Sequence, residues 1–315
     1  MENILFAAGA VFPLFVMVMI GQGLGKSGWF DPEYVKKTNR FVFKICLPVM
    51  LFRSIQQNEI SLTENLRLIL FAEAALLVLV VLSVALVPLF VRQNARRSVL
   101  MQMIWRTNCL IFGLPVAINI FGEAGAAPMA LIMAAVIPMF NIYSVIILAV
   151  FDVKNEGHIE IGKTLLSIVK NPLIIASLLG LAASLADIRF PAMIDTALTY
   201  LANIASPLAL ICLGANLTVR EGRPPKGILI CGLLLRLVLV PVAAMTAAVL
   251  FGFRGAELGA LLLLFASPMA VTGYVMSAEA GADAALAARY VFYSTLLVCL
   301  SMFFFILIFR NFGLI

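Results

Sequence analysis

Apolar residues run along this chain in ten long blocks: 3–24, 38–55, 65–91, 98–121, 126–151, 164–186, 194–216, 226–251, 256–280 and 284–309. A helix needs roughly 20 apolar residues to cross a hydrocarbon layer about 30 Å thick, and every block is near that length. The blocks lack the strict alternation of barrel strands, so helices are the expected form. Turn signals punctuate them: Gly25-Lys-Ser-Gly28 with Asp31-Pro32, the run Arg92 to Arg97, Gly122-Glu-Ala-Gly125, and Arg220 to Lys226. The pattern predicts an all-α polytopic membrane protein with ten transmembrane helices. Its longest polar connection holds Asp152, Lys154, Glu156, His158 and Glu160, and predicts a short cytoplasmic linker over 152–163.

Composition points the same way. The 315 residues are 63% hydrophobic and only 12% charged, with mean hydropathy +1.09. A soluble domain carries about 25% charged residues, so this chain could not cover its own surface in water. The net charge of +6 does not imply nucleic acid, because the basic residues sit in short loops rather than in a stripe with aromatics. Lys26, Lys36, Lys37, Arg92, Arg96, Arg97, Lys154, Lys163, Arg220, Arg223 and Lys226 fall in the odd-numbered loops. Even loops and tails hold only Arg53, Arg67, Arg189, Arg254 and Arg310. This excess places the odd loops in the cytoplasm and both termini outside, in a cell (inner) membrane. The first residues lack a basic n-region, so they are expected to open a retained span rather than a cleaved signal. Cys46, Cys109, Cys212, Cys231 and Cys299 lie in apolar blocks without CxxC spacing, so neither a metal site nor a disulfide framework is expected. No cofactor is expected either.

The blocks also suggest an internal repeat. Leu47-Pro48 in span 2 can be laid over Ser206-Pro207 in span 7, and Gly113-Leu-Pro115 in span 4 over Ala266-Ser-Pro268 in span 9. Spans 4 and 9 both end in a Glu-Ala-Gly turn, at Gly125 and Gly281. Five spans per copy is an odd number, so the second copy enters from the opposite face, as in many secondary transporters. The expected division is residues 1–151, the linker 152–163, and residues 164–315.

Chemistry is expected where the spans break. Proline removes a backbone donor and clashes with the carbonyl four residues earlier. Pro115 and Pro268 lie near the middle of spans 4 and 9, beside Asn108, Gly113, Asn119, Ser267, Thr272 and Gly273. Simple kinks are the bland alternative. Broken helices would instead turn half-helix N-termini, with free N–H groups, toward an anion. Glu73 and Arg236 sit deep in spans 3 and 8, where a charge is expensive and marks a functional candidate. Either Glu73 carries a coupling proton, or the two form an ion pair, or both face a wet crevice. Arg40, Lys44, Arg106 and Arg289 lie nearer span ends and are expected to snorkel, with Lys44 and Arg106 kept as carboxylate partners. Asn141, Ser294 and Thr295 are polar groups at depth, suited to helix-to-helix bonding or to ligand contact. His158 is expected to be a solvated loop residue.

Four stretches in register give the chain a resemblance. Asn39 to Phe52, Arg106-Thr-Asn108 with Gly113-Leu-Pro115, Ser206 to Leu217, and Ala266-Ser-Pro268 with Tyr293-Ser-Thr295 resemble motifs of the auxin efflux carrier family. That family is similar in fold to bile-acid sodium symporters. The resemblance implies two inverted five-helix repeats with spans 4 and 9 crossing at their breaks. It also implies a scaffold of helices 1, 2, 6 and 7 and a mobile transport domain of helices 3–5 and 8–10, working as an elevator. The short loop after span 5 is like that of bacterial relatives, many of which carry malate or malonate. The family's crossover asparagine maps to Asn108 and its crossover prolines to Pro115 and Pro268. Span 9 has no asparagine near its proline, and Thr272 is the nearest polar substitute.

The expected function is secondary transport of a small organic anion, a carboxylate or dicarboxylate of the malate, malonate or auxin-like kind, by alternating access, with the site drawn from Asn108, Gly113, Pro115, Pro268, Thr272, Asn141, Ser294 and Thr295. Proton or sodium coupling is open. A bile-acid type sodium symporter is the rival, with Asn108, Asn119, Ser267 and Thr272 as oxygen ligands. Plant relatives are usually homodimers, so a second copy is the one protein partner the resemblance implies. An intramembrane enzyme lacks support, since the chain has no HExxH, no GxSxG and no histidine within a span.

Overall fold

A computed structural model describes residues 16–56, 66–125, 127–151, 170, 172–186, 188–217 and 226–315. The linker 152–163 with His158, and Arg220 and Arg223, lie outside the described residues. All regular structure among the described residues is helical, apart from a single β-bridge. Helix α1 covers 16–26. It is followed by α2 (Pro32–Phe41), α3 (Leu47–Gln56), α4 (Leu66–Phe90), α5 (Asn94–Trp105), α6 (Leu114–Gly125) and α7 (Ala127–Val150). The second half holds α8 (Pro172–Leu185), α9 (Ala192–Asn216), α10 (Lys226–Leu234), α11 (Val240–Leu250), α12 (Gly255–Ala266), α13 (Val271–Glu279) and α14 (Ala284–Asn311).

Local signals explain the boundaries. Asp31 caps α2 by accepting from the Tyr34 N–H at 2.7 Å, and Pro32 fills the first turn where no donor is needed. Asp283 does the same for α14 through the Leu286 N–H at 2.9 Å. Gly122, with φ 72°, ends the regular part of α6 inside the turn read from the sequence.

Three π-helical turns, Val42–Cys46, Cys109–Gly113 and Leu235–Leu239, join α2 to α3, lead into α6, and join α10 to α11. Each is followed two residues later by a proline: Pro48, Pro115 and Pro241. The carbonyl four residues before each proline lies within the π turn, so widening the turn relieves the clash without breaking the helix.

Among the described residues, Leu66–Phe90, Leu131–Val150, Ala192–Asn216 and Lys226–Leu250 are long and apolar enough to cross a membrane, with hydropathy from 1.6 to 2.8. Ala284–Val298 with Leu300–Asn311, bent by 42°, makes a fifth candidate. These helices bury only part of their apolar surface in the protein. Along α4, Leu66, Leu70, Val78, Val81, Leu89 and Phe90 are all exposed. Such a surface is stable only against lipid. The broken and shorter helices lie inside: α12 is buried along Leu258–Ala266, and α5 along Ser98–Trp105.

Two sets of contacts organise the interior. Helices α1, α3, α8 and α9 pack together, α1 against α9 at almost backbone contact. A Cβ on Gly21 would collide with the Ile211 carbonyl, and one on Gly214 with the Val18 carbonyl. Small residues permit this approach where lipid offers no hydrophobic drive. Arg53 on α3 clamps Asp195 on α9 through both carboxylate oxygens, at 2.5 and 3.2 Å. The other set packs α4, α5, α7 and α10–α14 around the breaks.

Candidate crossover site

The centre of the fold is the place where two helices stop and meet. Helix α5 ends at Trp105, and Arg106, Thr107 and Asn108 run outside helical geometry before the chain turns into Cys109–Gly113. Helix α12 ends at Ala266, and Ser267 to Ala270 are extended up to the start of α13. Pro268 causes the second break, because a residue before proline is driven out of helical geometry and Ser267 is (ψ 154°). The two extended segments pair antiparallel. The Asn108 N–H donates to the Pro268 carbonyl at 2.8 Å, and the Ala270 N–H to the Arg106 carbonyl at 3.3 Å. Each break thus supplies the backbone partners the other lost.

One sequence expectation is corrected here. Pro115 does not break its helix. The break lies at Arg106–Asn108, and Pro115 is absorbed in the first turn of α6 behind the π turn. The side chains of Pro115 and Asn119 are outside the described residues. Pro268 meets the Asn108 backbone, not Pro115.

Arg106 occupies the middle of the site. It is buried rather than snorkelling, and among the described residues its guanidinium is held by neutral oxygens. Nη1 donates to the Phe140 carbonyl at 2.8 Å and to Ser144 Oγ at 2.5 Å. Nη2 donates to Asn141 Oδ1 and to Thr272 Oγ1, both at 2.8 Å, and Nε reaches Thr272 Oγ1 at 3.3 Å. Gly273 leaves room for it, since a Cβ there would lie 3.3 Å from Arg106 Cδ. Among the described residues, no carboxylate lies within ion-pair distance of Arg106. Asn108 is buried beside it, and its Nδ2 has no hydrogen-bond partner among the described residues. A pocket between α3, α7, α9 and the crossover is lined by Arg106, Asn108, Leu110, Asn141, Ser206 and Thr272. The first turns after both breaks border it, so free N–H groups and positive helix ends face the same space.

The other expected residues scatter. Gly113 is a packing position: a Cβ would sit 2.8 Å from Met129 Cε and 3.3 Å from Ser267 Oγ. Ser294 Oγ accepts from the Met269 N–H at 3.0 Å, so it supports the α12–α13 break from behind. Thr295 is buried on α14 and does not border the pocket. Glu73 is half-buried on α4, with one carboxylate oxygen buried and without a partner among the described residues. Arg236 is fully buried and donates to the carbonyls of Ser267 and Ile104, so it does not pair with Glu73. Lys44 is exposed.

The sequence keeps Arg106 as a carboxylate partner but places it near a span end, and its burial at the centre of the crossover is decided by the structure. Tyr274 was not read from the sequence. Its hydroxyl accepts from Asn39 Nδ2 at 3.1 Å and Asn216 Nδ2 at 3.3 Å, and donates to the Cys212 carbonyl at 3.3 Å.

The sequence matches the protein family described as membrane transport protein over residues 6–306. It is similar to a protein of Methanothermobacter thermautotrophicus named "Uncharacterized transporter", with 26% identity over 304 residues, covering 93% of this chain and 95% of that one. A transporter of Methanocaldococcus jannaschii is 23% identical over 291 residues, covering 90% and 93%. A protein of Rhizobium meliloti named "Putative malonate transporter" is 24% identical over 215 residues, covering 67% of each chain.

Proposed function

The chain belongs to the membrane transport protein family, and from that premise we propose that it is a secondary active transporter of a small organic anion, a carboxylate or dicarboxylate. The observation that carries the substrate class is Arg106. A buried charge costs several kcal/mol unless it is paired, and neutral oxygens offset only part of that cost. A carboxylate entering the pocket would complete the pairing. It would also take up the Nδ2 group of Asn108 and the free N–H groups of the two half-helices. Asn141 and Thr272 orient the guanidinium and exchange part of their bonding with the substrate. The relative whose name refers to malonate supports a dicarboxylate.

Movement is of the elevator type. Helices α1–α3, α8 and α9 form the scaffold, and α4–α7 with α10–α14 form the transport body, each drawn from two inverted five-span repeats that together make ten spans. The contrast in contacts supports this division. The scaffold is joined internally by glycine-to-backbone packing and the Arg53–Asp195 clamp. Between the bodies lie breakable polar contacts: the Tyr274 hydroxyl with Asn39 and Asn216, and Arg40 with Glu279 at 3.7 Å. Glu73, whose buried oxygen has no partner among the described residues, is the group suited to carry a coupling proton. Odd loops face the cytoplasm of the cell membrane and both termini face outside.

Uptake into proteoliposomes tests the proposal. Labelled malonate and malate should accumulate, and unlabelled dicarboxylates should compete while their diamides do not. Equal competition by the neutral diamides would overturn the anion site.

A further inference from the structure

Arg236 is a second buried cation, and its surroundings differ from those of Arg106. It lies in the π turn Leu235–Leu239, with no exposed surface. Among the described residues its acceptors are main-chain carbonyls alone: Ser267 O from Nε at 2.9 Å and Nη2 at 2.6 Å, and Ile104 O from Nη1 at 3.0 Å. Among the described residues it has no carboxylate within ion-pair distance.

Both carbonyls belong to helix C-termini. Ile104 is in the last turn of α5, and Ser267 is the C-cap of α12. The Ile104 carbonyl lacks its usual helical donor because the Asn108 N–H is turned to Pro268. Two negative helix ends therefore converge on one buried point, and each brings an oxygen freed by its break. Interrupted membrane helices use such carbonyls to coordinate an alkali cation. Here the point is filled by a side chain anchored on α10–α11.

We propose that Arg236 is a tethered cation, which occupies the place of a free inorganic cation and holds the two half-helices docked. Given the transport function above, substrate passage then needs no sodium or potassium at the crossover. The guanidinium is a positioning group. It sits at the carbonyl ends, whereas Arg106 and Asn108 sit at the pocket. Removing its charge should leave a vacant carbonyl site that accepts a small cation from solution.

The test compares the wild type with Arg236→Ala, Arg236→Gln and Arg236→Lys in detergent and in proteoliposomes. Wild-type stability and uptake should be the same, within about twofold, in sodium, potassium and choline. Arg236→Ala and Arg236→Gln should lose uptake at least about tenfold, the loss expected when charged hydrogen bonds to buried carbonyls are removed. Millimolar guanidinium should restore their thermal stability and uptake, and equimolar urea should not. Arg236→Lys should keep a cation-independent melting temperature. Sodium-dependent wild-type uptake, an Arg236→Gln protein indistinguishable from wild type, or identical responses to guanidinium and urea would each overturn the tethered cation. If Arg236→Ala does not fold, Arg236→Gln carries the comparison. If the wild type moves no carboxylate, the transport proposal fails, while the melting responses still decide the role of Arg236.

Discussion

Arg106→Met separates folding from function most sharply. The substitution removes a buried charge and five hydrogen bonds to four acceptors, Phe140 O, Asn141 Oδ1, Ser144 Oγ and Thr272 Oγ1. Each buried acceptor left without a donor costs roughly 1–3 kcal/mol. Ser144 can turn its hydroxyl to the Phe140 carbonyl one turn away, and that carbonyl keeps its helical N–H donor, so the uncompensated losses are Asn141 Oδ1 and Thr272 Oγ1. That is about 2–6 kcal/mol. Against it stands the desolvation of the guanidinium, several kcal/mol, which the folded protein no longer bears. The two nearly cancel, so the net change in stability should stay within about 2 kcal/mol, a few degrees in melting temperature for a chain of this length. Substrate affinity should behave differently. Truncating one partner of a buried hydrogen-bonded charge pair costs roughly 2–5 kcal/mol, and about 3 kcal/mol corresponds to a loss of roughly two orders of magnitude in Kd. Titration calorimetry with malonate, beside a thermal melt, reads both numbers from one preparation. Retained affinity within threefold in a folded Arg106→Met protein would refute the assignment of Arg106 to the substrate. A large drop in melting temperature with unchanged affinity would make it a structural residue instead.

Other variants test other parts of the molecule. Tyr274→Phe leaves the Asn39 and Asn216 amides without their shared acceptor, at a cost of roughly 1–3 kcal/mol; hydrogen exchange should rise in α13, and unchanged protection would remove Tyr274 as a contact between the two bodies. Gly214→Ala pushes a methyl group into the α1 backbone and should destabilise by roughly 1–3 kcal/mol. Gly23→Ala, with nothing within 4 Å of the added carbon, serves as the control, and equal melting temperatures for the two would contradict the close packing of α1 and α9. Glu73→Gln should abolish the response of uptake to an imposed pH gradient while leaving counterflow exchange measurable; a retained response would move the proton elsewhere.

Membrane class was legible because it depends on every residue at once. Long apolar blocks leave a chain no soluble solution, and α4, α7 and α11 end within a residue of the predicted block ends. Family membership was legible for a related reason: motifs in register survive where identity is low. The location of the break was not legible. Proline announces a local conflict, but a helix can absorb that conflict by widening one turn, as it does before Pro48, Pro115 and Pro241. Whether it widens or opens depends on what waits across the gap. At Asn108 a second interrupted segment waits, with the Pro268 carbonyl in reach of the free N–H. The surroundings of Arg106 and Arg236 follow from the same pairing. Both look like unsupported charges in a linear reading. Only the meeting of distant helix ends decides that one lies at the positive ends beside the pocket and the other at the negative ends behind it.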